Sequence, residues 1–296
     1  MRIGTRASAL ALAQASWVCS RLRSTAAVQC ELVHVTTSGD RDERRADKSR
    51  WVAELERALL AGEIDVAVHS AKDVPAELAA GTELSAVTER EDPRDVLCGA
   101  GSVSELPLGA RIGTSSLRRA AQLRALRPDL EVVELRGNVD TRLRKLAAGE
   151  ADAIVLALAG LRRLGREAEA GGVLDQLVPA AGQGALALQC MTASPAGEAV
   201  SALSDPRTAA CVGAERALTR ALGASCQTAV GAFASPVPDT PGEIELCGWV
   251  GLPDGSEWIA DRLRGTATEI GSRVAERMRS AGAEDLLARA VTEAPT

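Results

Sequence analysis

The sequence predicts an α/β fold of two similar lobes followed by a small α+β domain. Three observations predict it. Strand-like and helix-like segments alternate through the first part, which points to parallel sheets covered by helices. Short strings recur there in the same order, which points to two domains of one architecture. The length of 296 residues exceeds the usual reach of a single core.

The elements follow from the chain in order. Arg2–Thr5 reads as a short strand, and Ser8 as the N-cap of a helix running to about Arg23. Cys30–Thr37 is a β-rich run. Trp51–Ala61 reads as a helix and Ile64–Ser70 as a buried strand. The repeat then begins. Arg2-Ile3-Gly4-Thr5 with Ser8 returns as Arg111-Ile112-Gly113-Thr114 with Ser115 and Ser116. Gly62-Glu63-Ile64-Asp65 before one strand returns as Gly149-Glu150-Ala151-Asp152 before another. The expected boundary is near residues 89–110, a stretch rich in Gly and charge. Farther on, Ala209–Leu222 reads as a helix ending at Gly223. Strands are expected at Val230–Ala234 and Glu243–Val250, then a Pro253-Asp254-Gly255 turn, a further strand and a helix around Ile270–Ser280.

Composition narrows the function. A net charge of −6 argues against a nucleic-acid binder driven by overall charge. No apolar run is long enough for a transmembrane helix, and the N-terminus does not read as a secretory signal. Lys48, Lys72 and Lys145 are the only lysines, so arginine carries nearly all the positive charge, and its planar fork suits carboxylates. The cysteines are odd in number and lack a C-x-x-C pair, which fits a reducing cytoplasm better than a disulfide framework or a zinc site.

The sharpest feature is His69-Ser70-Ala71-Lys72-Asp73-Val74-Pro75, where a buried strand ends in a hydroxyl, a base and an acid. Ligands of open sheets sit at the carboxyl ends of strands. Three groups lie at strand-to-helix junctions, where free N–H groups and the helix dipole favour anions. They are Arg6 with Ser8, Ser116 with Arg118 and Arg119, and Arg136-Gly137-Asn138-Val139-Asp140-Thr141-Arg142. A lone arginine is ordinarily a solvated helix face; repetition at junctions argues for more. His69 serves either the shape of the site or packing, and His34 the core. Asp92-Pro93-Arg94-Asp95 is a hinge with internal ion pairs or a border of the cleft. Cys226, in a loop after a helix, is not separable from the other cysteines on this basis.

Together these segments resemble the porphobilinogen deaminase (hydroxymethylbilane synthase) family. The strings are Gly4-Thr5-Arg6-Ala7-Ser8, His69–Pro75, Glu91-Asp92-Pro93-Arg94-Asp95, Gly113–Arg119, Leu135–Val139 with Thr141-Arg142-Leu143, Gly182-Gln183-Gly184 and the loop holding Cys226. The resemblance implies two lobes like those of periplasmic binding proteins plus a C-terminal domain, divided as 1–90 with 185–204, 91–184 and 205–296. It implies a transferase of porphyrin biosynthesis that joins four porphobilinogen units on a dipyrromethane primer held by Cys226, releasing ammonia and then hydroxymethylbilane. Arg6, Ser8, Lys48, Ser116, Arg118, Arg119, Arg136 and Arg142 would bind the acetate and propionate groups. Asp73, with Lys72 beside it, would be catalytic by stabilising the cation left when ammonia departs. A cytoplasmic monomer passing its product to uroporphyrinogen-III synthase is further implied.

One region departs from the family pattern. A Gly-Gly-Lys-Gly-Leu-Phe run is replaced by Asp47-Lys48-Ser49-Arg50-Trp51, with Lys48 and Trp51 at the lysine and phenylalanine positions. The competing readings are a non-catalytic two-lobed anion-binding protein and a homologue that has lost activity.

Overall fold

The computed structural model describes residues 1–35, 48–224 and 228–292. The chain forms two compact units: 1–92 with 162–165 and 184–209, and 93–161 with 166–183 and 210–296.

In the first unit, β1 (Arg2–Thr5), α1 (Ala9–Ala26), β2 (Glu31–His34), α2 (Lys48–Leu60), β3 (Val66–Ser70) and β4 (Thr82–Val87) follow one another. Ser8 caps α1, its hydroxyl oxygen accepting from Ala11 N–H at 3.3 Å. β1 lies parallel to both β2 and β3. One sheet face packs Val66 and Val68 with Val18 and Leu22 of α1. The other packs Ala67 and Ile64 with Leu55 and Leu59 of α2. Strand alternation delivers successive β3 residues to different helices.

The second unit opens with β5 (Asp95–Cys98), β6 (Arg111–Gly113), α3 (Leu117–Leu126), β7 (Glu131–Val133), α4 (Val139–Ala147), β8 (Ala153–Ala157), α5 (Leu158–Arg163) and β9 (Gly172–Val173). Here β6 lies parallel to β7 and β8. The chain then supplies β10 (Leu186–Met191) to the first sheet. The strand orders are β2-β1-β3-β10-β4 and β7-β6-β8-β5-β9, so position matches position. The repeat read from the sequence is a repeat of topology.

The Gly-Glu-x-Asp string has a physical basis. Gly62 and Gly149 take φ of +67° and +75°, turning the chain after α2 and α4. Asp65 accepts from Arg2 N–H at 2.7 Å and pairs with the Arg2 guanidinium at 2.6 Å. Asp152 does the same with Arg111, at 2.7 and 3.0 Å. Each clasp pins the start of the central strand to its neighbour.

Two expectations need correction. The sheets are mixed: β10 runs antiparallel to β3 and β4, and β5 antiparallel to β8 and β9. The boundary expected near residues 89–110 does fall there, between 92 and 93, and β5 just beyond it is buried throughout, Asp95 included. His34 is exposed rather than part of the core.

After β10, α6 (Pro195–Ser201) packs on the first unit's core, and the C-terminal part follows: α7 (Pro206–Ala221), an antiparallel meander of β11 (Val230–Pro236), β12 (Glu243–Gly251) and β13 (Trp258–Thr266), then α8 (Ile270–Ser280) and α9 (Ala283–Thr292). Leu218, Leu246, Val274 and Met278 centre the core of this last layer. Glu215 of α7 is fully buried and accepts from Gly182 N–H and Ala234 N–H, both at 2.7 Å. It thereby joins the Gly182-Gln183-Gly184 loop to the meander. Glu215→Ala strands two buried donors and lowers unfolding free energy by about 3 kcal/mol in guanidinium titrations, with Glu215→Gln losing less because one acceptor remains.

Candidate active site

The first unit places Arg6, Ser8, Lys72 and Asp73 at one sheet edge. β1 and β3 are parallel neighbours, so the residues that follow them emerge on the same side. After β3 a single 3-10 turn, Ala71–Asp73, carries Lys72 and Asp73. Ala71 N–H bonds Ala185 C=O at 3.0 Å, tying the turn to the approach to β10. Gln14 of α1 donates to Ser70 Oγ at 2.8 Å. Asp73 Oδ1 is shielded from solvent, which strengthens its field on any cation brought near.

Arg6 stacks on Trp51, its guanidinium carbon 3.6 Å from the ring centroid. This cation–π contact holds the side chain against the ring. Trp51 was expected only as a substitute for phenylalanine. Its grip on Arg6 depends on a spatial neighbour more than forty positions away in sequence, which no local pattern reveals.

The second unit holds the other arginines. Ser116 caps α3, accepting from Arg119 N–H at 3.4 Å. Both capping serines accept through oxygen and retain a hydroxyl proton to donate. Arg142 donates to Ser115 Oγ at 3.0 Å. Arg136 is half-exposed and pairs with Glu134 at 2.6 Å. Asn138 caps α4.

Arg118 and Arg119 are buried around a carboxylate of their own unit. Each is 5% exposed, and both pair with Asp95 at 2.7 Å. Arg118 also donates to Val178 C=O at 2.7 Å and Arg119 to Val155 C=O at 2.9 Å. Gln183 adds a bond to Asp95 at 2.8 Å. Burial disfavours the Asp95 carboxylate, but the two guanidinium groups outweigh it and hold the acid far below the usual range. Two cations against one anion leave a buried excess of one positive charge in the first turn of α3. The helix dipole is itself positive there.

Lys48 begins α2, but its side chain, like all of Cys226, lies outside the described residues. The six described cysteines are unpaired by disulfide. No described helix is long and apolar enough to cross a membrane.

Comparison with known proteins decides the family. Residues 1–198 match the porphobilinogen deaminase dipyromethane cofactor binding domain, and residues 209–280 match the porphobilinogen deaminase C-terminal domain. The chain belongs to the porphobilinogen deaminase family. Relatives named porphobilinogen deaminase include those of Thiobacillus denitrificans, 46% identical across 97% of both chains, and of Pelobacter propionicus, 45% identical over 97% of this chain and 96% of that one. Among solved structures, an ABC transporter periplasmic substrate-binding protein from Coxiella burnetii aligns with 71% of this chain and 94% of its own, at TM-score 0.46 and 15% identity.

Family membership does not alter the local balance at Asp95. Asp95→Asn leaves two buried cations without their anion and costs about 3–5 kcal/mol at neutral pH. A carboxyl whose folded pKa is depressed adds stability above its unfolded pKa of about 4 and loses it as pH falls further. Urea titrations should therefore show the gap between native protein and Asp95→Asn narrowing below about pH 4.

Proposed function

We propose that this chain is a transferase that condenses four porphobilinogen units head to tail on a dipyrromethane primer, releasing ammonia at each addition and hydroxymethylbilane at the end. Family membership over nearly the whole chain supports the reaction class. The observation that carries the assignment of chemistry is the Ala71–Asp73 turn, which sets an acid and a base at the carboxyl end of a buried central strand.

The donor set fits a dipyrromethane, whose acetate and propionate groups want charge-assisted hydrogen bonds. Arg6, Arg136 and Arg142 supply guanidinium forks, Lys72 and Lys48 ammonium groups, and Ser8 and Ser116 hydroxyl protons. Arg118 and Arg119 contribute mainly field, because much of their hydrogen bonding is committed to Asp95 and carbonyl groups. When bound through Cys226, the primer supplies a nucleophilic pyrrole carbon.

The chain's residues then work on the substrate. Guanidinium groups orient its carboxylates, so the reacting carbons meet without a further entropy cost. Asp73 receives the pyrrole N–H and balances the positive charge that grows as ammonia leaves. It also offers a base for the proton lost when the rings join. The three-domain division expected above places the cysteine loop in a domain of its own. A cytoplasmic monomer that hands its product to uroporphyrinogen-III synthase completes the proposal.

Intact mass tests the primer. Native protein made in cells carries an adduct of one dipyrromethane, and Cys226→Ser carries none; an unmodified native chain rejects the reading in favour of a non-catalytic binder. Asp73→Asn should load the primer yet turn over roughly a hundredfold more slowly, an effect of about 3 kcal/mol on the barrier. Near-normal porphobilinogen consumption by that variant would remove Asp73 from the chemistry.

A further inference from the structure

Behind the Asp73 turn lies a polar chain inside the first unit. His69 is 5% exposed, and its Nε2 sits 3.0 Å from Gln189 Oε1 of β10. Gln189 Nε2 donates to Glu56 Oε1 of α2 at 2.8 Å and to Thr82 Oγ1 of β4 at 2.7 Å. Each partner's role is determined by its neighbours. Thr82 gives its proton to Ala79 C=O at 2.7 Å, so it accepts from Gln189. Glu56 Oε1 already accepts from Ala79 N–H at 3.0 Å. Reversing the Gln189 amide would set its oxygen against two acceptors. The amide oxygen therefore faces His69, and His69 Nε2 must carry the proton.

We propose that Gln189, oriented by Glu56 and Thr82, selects the Nε2–H tautomer of His69, and that the ring, buried and facing an amide oxygen instead of a carboxylate, stays neutral and sets no competing cation beside the Asp73 carboxylate. His69 and Gln189 are positioning residues on this view, because they act through Asp73 and touch no reacting atom. Burial keeps the ring neutral: it outweighs the Gln189 bond, which on its own favours the cation, and pushes the His69 imidazolium down to about 4. The charged groups acting on the ring are Glu56 from α2 and Asp73 from the turn, and both favour protonation. Neutrality thus depends on the absence of a direct acceptor at Nε2 stronger than an amide oxygen. A histidinium there would be a permanent counter-ion for Asp73, which would then hold less field for the substrate cation.

The inference rests on the reading of Asp73 as catalytic, and the test separates the two. The full chain, in a His34→Gln background, leaves one imidazole for ¹⁵N NMR. The expected spectrum shows protonated Nε2 and bare Nδ1, unchanged from about pH 8 to about pH 5.5. An Nδ1–H tautomer, or imidazolium in that range, overturns the proposal. Gln189→Glu sets a carboxylate against Nε2. It should convert His69 to imidazolium at neutral pH and lower kcat roughly tenfold or more, with KM within about twofold and kcat recovering as pH rises. Imidazolium with unchanged kcat overturns it. If that variant does not fold, Gln189→Met removes the acceptor for Nε2–H; a mixture of tautomers is expected, and one unchanged Nε2–H tautomer overturns the proposal. Adduct mass and Asp73→Asn kinetics report on the enzyme reading, whereas the imidazole spectrum reports on this one alone.

Discussion

The buried cluster of Asp95 with Arg118 and Arg119 constrains the second unit more than any other contact. Two cations in the first turn of a helix oppose the helix dipole, and burial makes their repulsion costly. Asp95 at the start of β5 makes that arrangement tolerable. In accepting from both guanidinium groups and from Gln183, it joins the segment entering this unit to the loop leaving it. One unit of positive charge is left over.

The same economy of design recurs at the junctions between strands and helices. Ser8, Ser116 and Asn138 each satisfy a helix N-terminus through a side-chain oxygen. Arg6, Arg119 and Arg142 lie within a few residues of those caps. In the proposed reading these junctions would receive carboxylates, with the arginines adding charge and direction. Asp73 stands apart: it sits on a 3-10 turn too short to offer a helix dipole, after a strand tied to α1 and to the approach to β10.

Much of this was legible in the residues. Gly62-Glu63-Ile64-Asp65 and its echo at Gly149 announced the duplication because each glycine and aspartate has a local job, a left-handed turn and a clasp on the next strand. Ser8 announced its helix for the same reason. Elements defined by distant partners were not legible. β5 was hidden by the charge of Asp95, whose neutralising arginines lie more than twenty positions on. The return of β10 to the first sheet was expected from the family resemblance, which assigns 185–204 to the first lobe, and not from any local pattern. The burial of Arg118 and Arg119 was not legible either, since nothing near them in sequence shows a buried carboxylate. The polar chain behind Asp73 joins residues from four elements, and only the fold brings His69, Gln189, Glu56 and Thr82 together.

The late arrival of β10 shapes how the molecule is made. On the ribosome, β5 through β9 emerge as one contiguous stretch, so the second lobe's sheet can close as soon as its last strand is out. The first lobe cannot: β3 and β4 have no partner between them until residues 186–191 have been synthesised. For more than a hundred residues of elongation, the strand that leads into Asp73 keeps an open edge, a template for mispairing. The part of the protein translated first is thus completed after the part translated second, and nascent chains stalled in that interval are the ones that most need a chaperone's cover.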